Sequence, residues 1–211
     1  QARQEFRVDG TTTLARLWRQ EGRELFQASQ DGGRSWSEPS PVQNELKLRY
    51  REFDPLLGEP PVPGELLSPA GSRLFIVQFQ DCPRPDGRAQ LEEQGVALLR
   101  FVPDNAFVAR FNQVSPDTIR QLPFIRWVGP YEPQVKLDPR LPRIIATQPP
   151  NQAVLLRFLV APQTPPLEIN RLTATLSTIS YRRTSALGTV LAGQFNPASL
   201  ASLAESPHVL W

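Results

Sequence analysis

Residues 111–127 read FNQVSPDTIRQLPFIRW and residues 195–211 read FNPASLASLAESPHVLW, so the chain writes one pattern twice, 84 positions apart. Phe111/Phe195, Asn112/Asn196, Ser115/Ser199, Pro123/Pro207 and Trp127/Trp211 match without a gap, and Ile119/Leu203 and Ile125/Val209 stay apolar. Internal repetition outranks other signals in deciding a fold. Each copy predicts the end of a strand, a polar turn, a short helix opened by Ser-Pro or Asn-Pro, and a strand carrying an aromatic. Proline suits the first helical turn because its missing N–H would be unpaired there anyway. The Ser or Asn before it can cap a free backbone N–H, worth about 1 kcal/mol.

Working outward from the first copy, Leu74 to Phe79 (LFIVQF) reads as a strand and Arg88 to Gln94 as a short helix stopped by Gly95. Val96 to Val102 is a second strand, Pro103-Asp104-Asn105 a tight turn, and Ala106 to Phe111 a third strand. The Ser115 to Leu122 helix and the Ile125 to Val128 strand follow. Around the second copy, Ala153 to Val160, a helix from Pro166 to Leu176, Ile179 to Arg183, a turn near Ser185 to Gly188, Thr189 to Phe195, the helix capped by Asn196, and Val209 onward repeat that order. Aligning Phe158 with Phe79 makes the first half of the second copy five residues longer. The order βαββαβ is that of the ferredoxin-like split sandwich, with two helices on one face of an antiparallel sheet. The expected fold class is therefore α+β: two tandem ferredoxin-like βαββαβ sandwiches after a small N-terminal all-β segment. Phe79, Phe107, Phe111, Trp127, Phe158, Phe195 and Trp211 are the aromatic core candidates.

The expected division is a β segment over 1–55, a proline-rich linker over 56–72, a first sandwich over 73–133, a second linker over 134–151 and a second sandwich over 152–211. Strands are expected at Thr11 to Trp18, Glu24 to Gln27 and Leu46 to Phe53. Pro60, Pro61 and Pro63 favour an extended, semi-rigid linker. Between the N-terminal strands, Ser29, Asp31, Gly33 and Trp36 fit Ser-x-Asp-x-Gly-x-x-Trp and resemble the Asp-box hairpin of sialidase-like propeller blades. In such a turn the Asp accepts backbone N–H bonds, the Gly permits positive φ, and the Trp folds back beside the hairpin. The motif specifies a hairpin rather than an activity. A glycan-binding segment is the functional alternative.

Hydrophobic residues make up 40% of the chain and charged residues 21%, an ordinary globular balance, and 23 prolines against 12 glycines imply many stiff connections. The net charge is +2 and the basic residues are arginine except for Lys47 and Lys136, scattered among acids. Nucleic-acid binding calls for a clustered basic face, so no nucleic-acid partner is expected. No apolar run approaches the roughly 20 residues of a bilayer span, so no membrane partner is expected either. Cys82 is the sole cysteine, which excludes an internal disulfide or a multi-cysteine zinc site.

The segments LFIVQF, VPDNAFVARF and LPFIRWVGPYEP, in that order and spacing, resemble the propeptide domain of subtilisin-like serine peptidases, a family that includes free-standing proteinase inhibitors. The likeness covers residues 74–133 well and 153–211 more weakly. It implies a pro-region of a secreted, extracellular peptidase acting as intramolecular chaperone and inhibitor of a subtilisin-like catalytic domain in cis. It further implies that the sheet packs on two surface helices of the enzyme while an extended tail enters the cleft. Pro207, His208, Val209, Leu210 and Trp211 are then the expected protease-contacting residues. Family propeptides continue beyond the aromatic of the last strand, as Val128 to Pro133 does here. Trp211 is either a processed end, its ring in the primary specificity pocket with Leu210, Val209 and His208 behind it, or an interruption ahead of the tail. The gapless match to Trp127 favours interruption.

No catalytic residue is expected in this chain. A serine peptidase needs nucleophile, base and orienting acid, and the one histidine, His208, reads as an exposed loop residue. No Gly-x-Ser-x-Gly elbow, His-Glu-x-x-His or glycine-rich phosphate loop occurs, and no cofactor or metal is expected. Glu92 and Glu93 read as the solvated face of a helix, and Asp104-Asn105 as a turn. The rival functional class is a non-inhibitory protein–protein interaction module.

Overall fold

The computed structural model describes every residue except 1, 2, 8–10, 22, 43, 49, 50, 60, 62–67, 70, 82, 84, 150 and 151. Cys82 and the linker prolines Pro60 and Pro63 lie outside the described residues. The chain forms two units, Gln1–Asn44 and Glu45–Trp211. It is mixed α+β, and its sheets are antiparallel.

In the first unit, β1 (Gln4–Arg7), β2 (Leu14–Gln20), β3 (Arg23–Ser29) and β4 (Ser40–Pro41) form one sheet in sequential order. The expected strand at Thr11 begins three residues later, at Leu14. The Thr11 hydroxyl accepts the Thr13 N–H at 3.1 Å, a local bond that competes with the ladder. Ala15 and Trp18 are buried.

The second unit opens with β5 (Leu46–Leu48) and β6 (Arg51–Phe53), which pair Leu46 with Phe53 and Leu48 with Arg51. The single strand expected over 46–53 is thus a pair of short strands. This hairpin belongs with the larger unit, because Leu46, fully buried, shares a core with Leu74, Ile76 and Leu99.

Next come β7 (Leu74–Phe79), α1 (Pro85–Glu93), β8 (Val96–Val102), β9 (Ala106–Phe111), α2 (Pro116–Arg120) and β10 (Ile125–Pro130), with strand order β10-β7-β9-β8. The Ser115 hydroxyl accepts the Thr118 N–H at 3.3 Å, so it caps α2 as the sequence predicts. Two short helices, α3 (Pro133–Lys136) and α4 (Leu141–Ala146), occupy the proline-rich join. The remaining elements are β11 (Val154–Val160), α5 (Pro166–Thr173), β12 (Leu176–Ser185), β13 (Gly188–Phe195), a 3-10 turn at Pro197–Ser199 capped by Asn196, and α6 (Leu200–Glu205). Their strand order is β11-β13-β12, with Val209 bridging to Val160 on the far side of β11.

Strand register corrects one expected correspondence. Val77 faces Phe107 and Phe158 faces Leu191, residues 84 apart, so Phe158 is the counterpart of Val77 rather than of Phe79. Matching by residue type failed because an aromatic and a valine fill equivalent core positions.

Alternate residues of a strand point to opposite faces, and in β7 both faces are buried. Phe79 and Val77 pack with Leu91, Phe107, Phe111, Ile119 and Ile125 toward the helices. Phe158, Leu172, Leu191, Phe195 and Leu203 make the matching core of the later half. The opposite faces meet each other: Leu74, Ile76 and Val108 of one sheet share a cluster with Leu159 and Leu210 beside the other. The second unit therefore holds its two sheets together through a central apolar layer, with the helices outside.

Candidate functional site

The C-terminal segment is held from two sides. On one side it runs antiparallel to β11: Ala161 N–H donates to the His208 carbonyl at 2.8 Å, Leu159 N–H to the Trp211 carbonyl at 2.8 Å, and Leu210 N–H to the Leu159 carbonyl at 2.9 Å. Trp127 likewise lies opposite Gln78 in the earlier sheet. On the other side stands the segment after β10. The Tyr131 hydroxyl donates to the Leu210 carbonyl at 2.6 Å, and the Lys136 ammonium to the carbonyls of Ala204 at 2.6 Å and Ser206 at 3.0 Å. A cation suits the last carbonyls of a helix such as α6. Burial pushes the Lys136 pKa down to about 7, against the opposing charges of Glu132 and Glu205.

These contacts place the five expected protease-contacting residues. Val209 and Leu210 are buried, the first toward the helices and the second in the central layer. Pro207 is exposed, while His208 and Trp211 are half-buried, so these three present surface. His208 lies in a turn but is half-buried rather than exposed: its carbonyl accepts the Ala161 N–H and its ring is partly enclosed. Burial first, and then the Arg110 charge, lower its pKa, with Glu168 opposing. A groove of about 260 Å³ lies beside this segment, lined by Leu137, Leu141, Ile144, Leu155, Phe158 and Trp211 among others.

In the first unit Ser29, Asp31, Gly33 and Trp36 lie together in the turn after β3. Asp31 Oδ1 accepts from the Ser29 hydroxyl at 2.8 Å and the N–H groups of Arg34 at 3.0 Å and Ser35 at 2.9 Å; Oδ2 accepts from the Ser35 hydroxyl at 2.5 Å. Gly33 sits at φ +91° and donates to the Ser29 hydroxyl. The Trp36 indole donates to the Gly33 carbonyl at 3.1 Å, and the Arg16 guanidinium covers its ring at 4.2 Å. With so many donors already committed to its carboxylate, Asp31 works as the brace of a turn. These bonds, the Ser35 hydroxyl foremost, hold its pKa well below the usual carboxylate range.

The stabilising effect of that depressed pKa is present above the unfolded carboxylate range and is lost as pH falls below it. Loosening of the hairpin below about pH 4 is therefore expected, read as broadening of the Trp36 indole resonance, and D31N should weaken the hairpin and remove this acid dependence. An unchanged acid profile in D31N would count against the brace.

Sequence reasoning missed Tyr131, Lys136 and the half-buried pair Arg126–Asp54. One signal was available: Lys47 and Lys136 are the only lysines in an arginine-rich chain, and both make tertiary contacts, Lys47 with Asp104 at 3.3 Å. Among the described residues no cluster of three or more His, Cys, Asp or Glu is placed to hold a metal. No helix there is long and apolar enough to cross a membrane.

No curated protein and no solved structure matches the chain. One family profile does, over residues 41–132, and its description is a domain of unknown function, DUF8729. The match spans the β5–β6 hairpin and the sheet built on β7, and stops before β11.

Proposed function

We propose that this chain is the pro-region of a secreted subtilisin-like serine peptidase, its two α+β halves being tandem ferredoxin-like sandwiches and the later one acting as chaperone and inhibitor of a catalytic domain. The observation that carries the reading is the strand order. In β10-β7-β9-β8 the fourth strand of the half lies beside the first, then the third and the second, and the later half repeats this with Val209 beside β11. The LFIVQF and LPFIRWVGPYEP motifs supply the likeness to peptidase propeptides.

The face-to-face sheets limit how such an inhibitor could dock. Leu159 and Leu210 are taken up by the central layer, so a peptidase would meet the rest of the later sheet. The same packing favours a second reading, a non-inhibitory interaction module in which the paired sheets form a rigid scaffold.

Inhibition of a broad-specificity subtilisin separates the two. The chain as it stands is expected to inhibit weakly. Appending VGPYEP, the sequence of residues 128–133, after Trp211 should extend pairing along β11 and tighten inhibition by roughly tenfold or more, as strand addition gains main-chain bonds. The glycine in that addition matters, because a Cβ at Gly129 would collide with the Trp127 ring. An extended chain that folds and inhibits no better would favour the scaffold.

A further inference from the structure

The long strand β12 leaves one edge of the later sheet open. It ends the order β11-β13-β12, and no other strand pairs with it among the described residues. Every residue from Ser177 to Ser185 is exposed, on both faces. Its counterpart β8 is better covered, with Leu99 and Val102 packed in the cluster that contains Leu46 and Phe53 of the hairpin.

Shape and charge together describe what fits this edge. Register shifts interrupt β12 between Leu176 and Thr178 and between Ile179 and Tyr181, but from Tyr181 to Ser185 the ladder is regular. That regular part holds Arg182 and Arg183, consecutive residues whose side chains leave opposite faces. Arg183 shares a face with Tyr181, whose ring lies 5.8 Å from the Arg157 guanidinium. Arg182 lies opposite Leu191, on the face that also carries Thr184 and Thr189, whose hydroxyls are 3.1 Å apart. No Asp or Glu occurs between Glu168 and Glu205. No described carboxylate pairs with Arg157, Arg182 or Arg183.

We propose that β12 is a docking edge for an extended, acidic segment of a partner protein, which adds to the sheet as a further strand and carries two consecutive carboxylates, one for each arginine. Main-chain bonds along an open edge give such a segment its affinity. The arginines select its charge, and their placement on both faces selects neighbouring rather than alternating acids. This surface lies away from Pro207–Trp211, and the proposal goes beyond the peptidase reading: failure of the inhibition assay leaves it standing, and its own failure leaves that assay unaffected.

The test uses the isotope-labelled full chain and two synthetic hexapeptides, Thr-Val-Glu-Glu-Val-Thr and its Lys-Lys counterpart. The acidic peptide is expected to slow amide exchange within residues 177–185 and to bind about tenfold more tightly than the basic one at low salt. The preference should fade near 0.5 M salt, where the Debye length is only about 4 Å. The double variant R182E/R183E should reverse the preference, and R182Q/R183Q should abolish it while keeping a dispersed spectrum. Absence of binding, equal binding of the two peptides, or protection outside β12 would overturn the proposal. Self-association of R182Q/R183Q without peptide binding would also overturn it, because the arginines would then serve only to keep edges apart.

Discussion

Arg126→Ala is expected to destabilise the second unit by about 3–5 kcal/mol, measured by chemical denaturation. The guanidinium donates to both carboxylate oxygens of Asp54, at 2.8 and 3.0 Å, and to the Gln78 side-chain oxygen at 2.8 Å. The side chains of Arg126 and Asp54 are only 12% and 16% exposed, so water does little to replace the lost partner. Gln78 is itself buried and donates onward to the Asp104 carbonyl at 3.1 Å. Removing the arginine therefore leaves a carboxylate and an amide oxygen without their charged donor, which costs more than a surface ion pair would contribute. Arg126→Lys should recover only part of the loss, because a single ammonium nitrogen cannot stand at once where Nη2 meets Asp54 and where Nη1 meets Gln78. A loss below about 1 kcal/mol, the range of exposed pairs, would show that Asp54 is effectively solvated.

Leu210→Ala is the second substitution with a large expected effect, about 2–5 kcal/mol. The side chain is fully buried in the layer shared by the two sheets, and its carbonyl accepts the Tyr131 hydroxyl. Truncation opens a cavity at the centre of the unit while leaving that bond available. Cooperativity is the telling readout. If the central layer couples the halves, L210A should separate their transitions, with amides of β11 and β13 exchanging before those of β7 and β9. A single shifted transition would mean that the halves are coupled mainly elsewhere.

Much of the architecture could be read from pattern. The repeated helix openings announced the caps at Ser115 and Asn196, and both form. Ser-x-Asp-x-Gly-x-x-Trp announced its hairpin because every bond in it is local. Long-range packing was harder to see. In LFIVQF successive residues are apolar, which says that both faces of β7 are covered but not by what. A residue-type match set Phe158 against Phe79, and only the ladder, which obeys pairing rather than resemblance, aligned it with Val77. The hairpin at 46–53 lay in a run without a Gly or Asn-Gly turn signal, so it read as one strand. At the candidate site, the terminal residues were singled out through the propeptide resemblance, whereas Tyr131 and Lys136 are separated from their partners by 79 and by 68 and 70 positions. No local pattern encodes such distances.

The shared layer between the sheets has a consequence for how the molecule can be taken apart. Each half would bare Leu74, Ile76 and Val108, or Leu159 and Leu210, if it stood alone. A protease that nicks the join between α4 and β11 should therefore yield fragments that co-elute as a pair rather than two independently soluble pieces. A gene fragment for either half alone would be expected to express as aggregate. On this packing the two halves form a mutually dependent couple, each the cover of the other's apolar face.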